Sequence, residues 1–174
     1  GKYLFRDKAV LPIMTYSQLQ FMKAEAALRK SDPGLAFTAY KNGISGHFAF
    51  INRVIFPRSN VTIYNGSPIS ALKIAAYLAG PNVKQAAGLL TLSDIMQQKY
   101  IAQWGWGYVE TWTDMRKYHY TDLDPITGLQ VYKDLTMPTV IFADNGGLGK
   151  WAYRMRPRYN SEYVWNRDAL NTFG

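Results

Sequence analysis

Apolar positions in this chain recur mainly at spacings of three and four, the period of helices that bury one or two faces. After Leu11-Pro12-Ile13-Met14, the run Thr15-Tyr16-Ser17-Gln18 matches a capping box, a hydroxyl for an orphan amide with Gln three residues on. The helix predicted at about 16–30 carries Leu19, Met22 and Ala26 on one stripe and Phe21, Ala24 and Leu28 on another. Two stripes predict packing on two sides. Ser31-Asp32-Pro33-Gly34 stops it, and a second helix at about 34–52 places Leu35, Ala39 and Ile44 toward the first. Ala36 and Tyr40, four apart, resemble the small-then-aromatic packing of helical-hairpin repeats, which need about three units to stand alone.

Residues 57–68 read as a loop around the β-prone run Val61–Tyr64, followed by a helix at about 68–79 that ends at Gly80-Pro81. Asn82–Leu90 is a connection or a short helix. The longest element starts at Thr91 or Ser93 and runs to about Lys117, with Ile101, Trp104, Tyr108, Trp112 and Met115 as its stripe. Gly105 and Gly107 lie inside it at roughly 1 kcal/mol each against Ala, which predicts close backbone approach or a kink. Asp122–Gly128 is turn chemistry. Val140–Phe142, Asp144-Asn145-Gly146-Gly147 and the alternating Trp151, Tyr153 and Met155 predict a hairpin with one apolar face. The fold class expected is mainly α: helical-hairpin (TPR-like) repeats with a loop-rich end and a small β-hairpin. Residues 1–174 form one domain or the C-terminal part of a larger one.

Composition adds one unusual feature. Nearly half of the 174 residues are apolar and 18% are charged, a packed composition, but aromatics reach 15%, more than such a core uses. Some rings therefore belong at surfaces or clefts, where they stack on ligands or anchor partners. The net charge of +8 gives a mild preference for acidic partners, yet no run of five like charges occurs, which argues against nucleic acid. With no cysteine, disulfides and thiolate metal sites are excluded. No segment reaches the ~20 apolar residues of a membrane span, and no signal-peptide pattern opens the chain.

Residues with catalytic or metal-binding chemistry are scattered. Asp122 and Asp124 have D-x-D spacing, but the glycine and distant Glu of a calcium loop are out of register, so these and Asp144 read as turn residues. Glu110 and Asp114 share a helix face, as an ion-pair network with Arg116 and Lys117 would require. His47 and His119 are isolated, with no metal spacing, and no G-x-S-x-G is present. No cofactor or metal is expected. Of Trp104, Trp106 and Trp112, Trp106 lies off the stripe and is the one expected to face another surface.

Three segments carry a family resemblance. Leu11–Tyr16 with Phe21-Met22-Lys23-Ala24-Glu25-Ala26-Ala27 is the first. The second is Asp94–Ala102, containing Gln98-Lys99, continued by Glu110-Thr111-Trp112-Thr113-Asp114-Met115-Arg116. The third is Arg154-Met155-Arg156-Pro157-Arg158-Tyr159-Asn160 with Glu162 and Asn166. In order and spacing they resemble the SusD/RagB nutrient-binding outer-membrane lipoproteins. The resemblance implies a mostly helical fold with helical-hairpin repeats and a lipid-anchored place on the cell surface of Bacteroidetes-like bacteria. It also implies partnership with a SusC-like TonB-dependent transporter and oligosaccharide or peptide ligands. Members are considerably longer and begin with a lipidated Cys, so this chain is expected to be a C-terminal portion.

The function expected is nutrient capture without catalysis. A helical interaction scaffold and a carbohydrate-active enzyme are the alternatives, the latter needing two carboxylates across a cleft. Glu25, Gln98, Lys99, Trp112, Asp114 and Arg116 read as fold-holding residues. Ligand contacts are expected from loop aromatics and their neighbours: Tyr64, Tyr118, His119, Tyr120 and Trp151.

Overall fold

Thr15 starts the first helix in the way its sequence predicts, its hydroxyl accepting the Gln18 amide at 3.1 Å. In the computed structural model of the chain, this helix, α1, spans Tyr16–Arg29. The structure describes residues 11–55, 67–136 and 164–169, and the chain divides into two compact units, 1–135 and 136–174. The named elements lie in the first unit: α1, α2 (Pro33–Phe50, running on as a π-turn over Ile51–Ile55), α3 (Ala71–Ala79), a 3-10 turn (Ala87–Leu89), α4 (Leu92–Gln103) and α5 (Tyr108–Lys117). The fold is mainly α.

The α1–α2 connection takes three residues because both helix ends are satisfied locally. Ser31 adopts φ 60°, and the amides of Ser31 and Asp32 return to the carbonyls of Leu28 (3.0 Å) and Ala27 (2.9 Å), a Schellman motif with serine where glycine is usual. Asp32 then caps α2 by accepting the Leu35 amide at 3.0 Å, and Pro33 fills the first helical position. The two helices run antiparallel as a tight hairpin. Gly43 makes the approach possible: a Cβ there would lie 2.8 Å from two carbons of the Phe21 ring. The Ser17 hydroxyl donates to the Gly43 carbonyl at 2.7 Å, and Phe21 meets Tyr40 edge-on at 6.4 Å.

Of the two stripes read on α1, Phe21 and Ala24 are core and Leu28 packs against it, while Leu19 and Met22 are exposed. On α2 the buried stripe is Ala36, Ala39, Tyr40, Gly43 and Ile44, at helical spacing, and Leu35 points outward. Val83, Leu90, Leu92, Ile95, Met96 and Ala102 complete the core, with Tyr118, Val131 and Tyr132 closing it from the chain beyond α5.

The single helix read over 91–117 is two. Thr91 caps α4 with a full capping box, its hydroxyl on the Asp94 amide (3.2 Å) and its amide on the Asp94 carboxylate (2.9 Å). At the other end the Gln103 carbonyl takes the amides of Trp106 (3.1 Å) and Gly107 (2.7 Å), and Gly105 turns through φ 80°. Gly107 is the close approach, where a Cβ would meet the Gln103 side chain at 2.9 Å. With the helix broken there, Ile101, Trp104, Tyr108, Trp112 and Met115 do not form one stripe. Trp104, read as part of the buried stripe, stands 65% exposed, and Trp106, off the stripe, is half-buried.

Asp124 is the turn residue its sequence suggests, and more. Fully buried, it accepts the amides of Ile126 (2.8 Å) and Thr127 (3.3 Å) through one oxygen. Through the other it accepts the Ser93 amide (2.9 Å), fastening this loop to the N-terminus of α4. The predicted hairpin over 140–155 lies outside the described residues. Among the described residues, strand-like pairing is limited to one antiparallel bridge, Leu123 with Gln130.

Candidate functional site

A buried polar hub joins α1 to the end of α5. Glu25 is 6% exposed, and one of its oxygens accepts from the Tyr118 hydroxyl (2.5 Å), Lys117 Nζ (2.6 Å) and Arg29 Nε (3.2 Å). Arg29 Nη2 also donates to the Tyr118 oxygen at 2.7 Å. Burial opposes ionisation of Glu25, but the bonds from Lys117 and Tyr118 and the charges of Lys117 and Arg29 outweigh it, holding the carboxyl below its ordinary value. Burial and the bond to Glu25 push the Tyr118 phenol up.

A second tie links α4 to α5 through Lys99 and Asp114, 2.5 Å apart and nearly enclosed. Here burial prevails over the lysine's charge, and the Asp114 carboxyl sits above its ordinary value. A third joins α4 to α3 and the following turn, where Gln98 meets the Tyr77 hydroxyl at 3.0 Å and donates to the Asn82 carbonyl at 3.0 Å. Glu25, Gln98, Lys99 and Asp114 thus all face protein. The guanidinium of Arg116 lies 4.7 Å from the Trp112 ring centre.

Beyond the hub, α5 ends in a second Schellman motif. The amides of His119 and Tyr120 return to the carbonyls of Arg116 (3.0 Å) and Met115 (2.8 Å), with His119 at φ 46° and Tyr120 at φ 63°. Two successive non-glycine residues in the left-handed region are costly, on the order of 1 kcal/mol or more each. The turn holds the His119 side chain out in solvent, 3.2 Å from the Asp122 carboxylate. Beside it opens a cavity of about 330 Å³ lined by Leu28, Arg29, Leu92, Tyr118, Asp122 and neighbouring loop residues. Tyr118 itself is 5% exposed, so it offers the cavity a wall rather than a stacking face. Tyr120 is half-buried, and its carbonyl accepts from Gln130 at 2.9 Å.

A larger cleft of about 480 Å³ lies elsewhere, lined by His47, Ile51, Ile55, Ser67, Ile69, Tyr100, Ile101, Trp104 and Trp106. Asn52 builds one wall by pairing with both backbone groups of Ile69, at 2.8 and 2.9 Å. Trp106 is fixed by an edge contact with Phe50 at 5.4 Å. Burial lowers the His47 pKa, favouring neutral imidazole.

Among known families, the profile of SusD-like_2, described as starch-binding associating with outer membrane, matches residues 3–140, well over half of the chain. The chain belongs to the SusD-like_2 family. No curated protein and no solved structure matches it. Membership implies carbohydrate or nutrient binding at the outer-membrane surface, and SusD-like proteins are binding proteins rather than enzymes. No helix among the described residues is long and apolar enough to cross a membrane.

Of the five residues expected at a ligand in this SusD-like chain, Tyr118 lines the smaller cavity, while His119 and Tyr120, next in sequence, form the left-handed turn at the end of α5 and are not among its lining residues. Tyr64 and Trp151 lie outside the described residues. Among the described residues, no group of three or more carboxylates and histidines is placed to hold a metal ion. Sequence reasoning missed Arg29 and Asp122 as cavity residues, and the larger cleft altogether. Arg29 reads as an ordinary exposed helix position until Tyr118, 89 positions on, is folded against it. The cleft draws on three separate stretches of the chain, and only Gly105, between two tryptophans, hinted that their rings would part.

Proposed function

We propose that this protein captures nutrients at the outer-membrane surface, binding oligosaccharides or peptides without chemistry and passing them to a SusC-like TonB-dependent transporter. The family match over residues 3–140 carries this reading. The same resemblance supports a lipid anchor, and it is consistent with residues 1–174 being either one domain or the C-terminal part of a larger SusD-like domain. The α1–α2 hairpin fits one unit of a TPR-like array.

Within that reading, Tyr118, His119 and Tyr120, with Tyr64 and Trp151, contact the ligand. The cavity beside Tyr118 suits hydroxyl- or amide-bearing ligands, because Arg29 N–H groups and the Asp122 carboxylate stand at it next to apolar side chains. Strain supports the placement. A left-handed histidine at a position that favours glycine is retained at a cost, as functional side chains often are.

Calorimetric titration of the full-length protein with a panel of maltooligosaccharides and peptides tests the reading, using His119→Gly, Tyr118→Phe, and Ala at Tyr64, Tyr120 and Trp151. His119→Gly is the sharpest variant. It relieves the left-handed strain and is expected to raise unfolding stability by about 1 kcal/mol while weakening ligand binding. Unchanged affinity in all five variants overturns the site assignment, and absence of binding to the whole panel overturns the ligand class.

A further inference from the structure

We propose that the larger cleft is a second binding site, taking an uncharged aromatic or similarly apolar ring carried by a small ligand. This inference stands apart from the sugar or peptide reading of the Tyr118 cavity and does not depend on it.

The occupant follows from what lines the cleft. Although the chain carries a net charge of +8, none of the described lining residues bears a full charge, so among the described residues an ionic group entering would find no partner for the hydration it sheds. Three rings, Tyr100, Trp104 and Trp106, and four isoleucines supply flat and aliphatic surface in about 480 Å³, a volume typical of small-ligand sites. A bare sugar ring fits this lining poorly. It brings several hydroxyls, each costing about 1–3 kcal/mol if buried without a partner, and among the described lining residues the polar side-chain groups are few: His47, Ser67, the Tyr100 hydroxyl and the indole N–H groups. A planar ring needs few of them.

The two tryptophans are set differently, and the difference suits capture. Trp106 is half-buried and braced edge-on by Phe50, giving a fixed wall. Trp104, at the C-cap of α4 just before the left-handed Gly105, remains 65% exposed although it lines the cleft. Closing it over a ring would remove apolar surface from water on both partners, at roughly 25 cal/mol per Å². His47, neutral when buried, offers one donor and one acceptor for a single polar substituent.

The test is an NMR titration of the full-length protein labelled with ¹⁵N at tryptophan, the two indole signals being assigned with Trp104→Phe and Trp106→Phe. The probes are indole, p-nitrophenyl β-glucoside, maltotriose and benzoate. Indole and the aryl glucoside are expected to shift both signals saturably, while maltotriose and benzoate leave them in place. Ile101→Asp, at a half-exposed position where folding should survive, and Trp104→Ala should each weaken indole binding about tenfold or more. The proposal is overturned if indole gives no saturable shift, or if maltotriose or benzoate moves the same signals equally. It is also overturned if the protein self-associates through this cleft and Ile101→Asp abolishes the association, which would make a second copy the occupant.

Discussion

Replacing Glu25 by Gln keeps the side chain's shape and one acceptor oxygen but removes the charge on which Tyr118, Lys117 and Arg29 converge. The side chains of Lys117 and Arg29 are about half exposed, at 51% and 52%, so each pairing is worth less than about 1 kcal/mol. The Tyr118 bond is buried at both ends, and a hydrogen bond to a charged group there contributes about 1.5–3 kcal/mol. Glutamine recovers a neutral bond of about 1 kcal/mol, so Glu25→Gln should lower stability by about 1–2 kcal/mol at neutral pH. The pH dependence gives the sharper check. Glu25 titrates below its ordinary value of 4.5 in the folded protein, so its contribution is fully present above pH 4.5 and is lost as pH falls through the folded value. The gap between the parent protein and the variant should therefore narrow on acidification below 4.5. Asp114, whose raised pKa acts in the opposite sense, is present in both proteins and enters the difference only through its repulsion by Glu25. Urea unfolding at a series of pH values measures the gap. A gap that is constant between neutral and acid pH, or that widens with acid, refutes the assignment of Glu25 as an ionised anchor.

Three further outcomes follow from the packing. Lys99→Met strands the Asp114 carboxylate in a site 13% exposed and should cost about 3 kcal/mol, while the double variant with Asp114→Leu regains most of it; equal losses in the two would refute a pairing role. Asp124→Ala removes the acceptor of three amides and should destabilise by about 2–4 kcal/mol, with hydrogen exchange rising first at Ser93, Ile126 and Thr127. Gly43→Ala drives a methyl into the Phe21 ring and should cost about 1–2 kcal/mol net of its gain in helix propensity; a variant as stable as the parent in urea would show that the hairpin can open at no cost.

Local physics decided much of this protein within the sequence itself. Thr15 and Thr91 mark helix starts because a cap acts over three residues of its own chain, and the structure places α1 and α4 accordingly; Asp32, legible only as part of a helix stop, also caps α2. Asp124 was legible as a turn residue for the same reason, since two of its acceptor bonds reach only to Ile126 and Thr127. The family, too, was readable from Glu25, Gln98-Lys99 and the Trp112–Arg116 run, because the residues that hold one fold together recur at fixed spacing. Tertiary structure alone decided the rest. Whether 91–117 is one helix or two depended on the Gln103 carbonyl accepting two amides across Gly105, a choice that helical periodicity cannot register. Tyr118 reads as a loop aromatic, yet its hydroxyl is spent on Glu25 and Arg29, about ninety residues away. The cleft around Trp104 joins α2, its π-turn, the segment before α3 and the end of α4. Its walls are set by long-range packing, and pattern along the chain carries no record of which segments will meet.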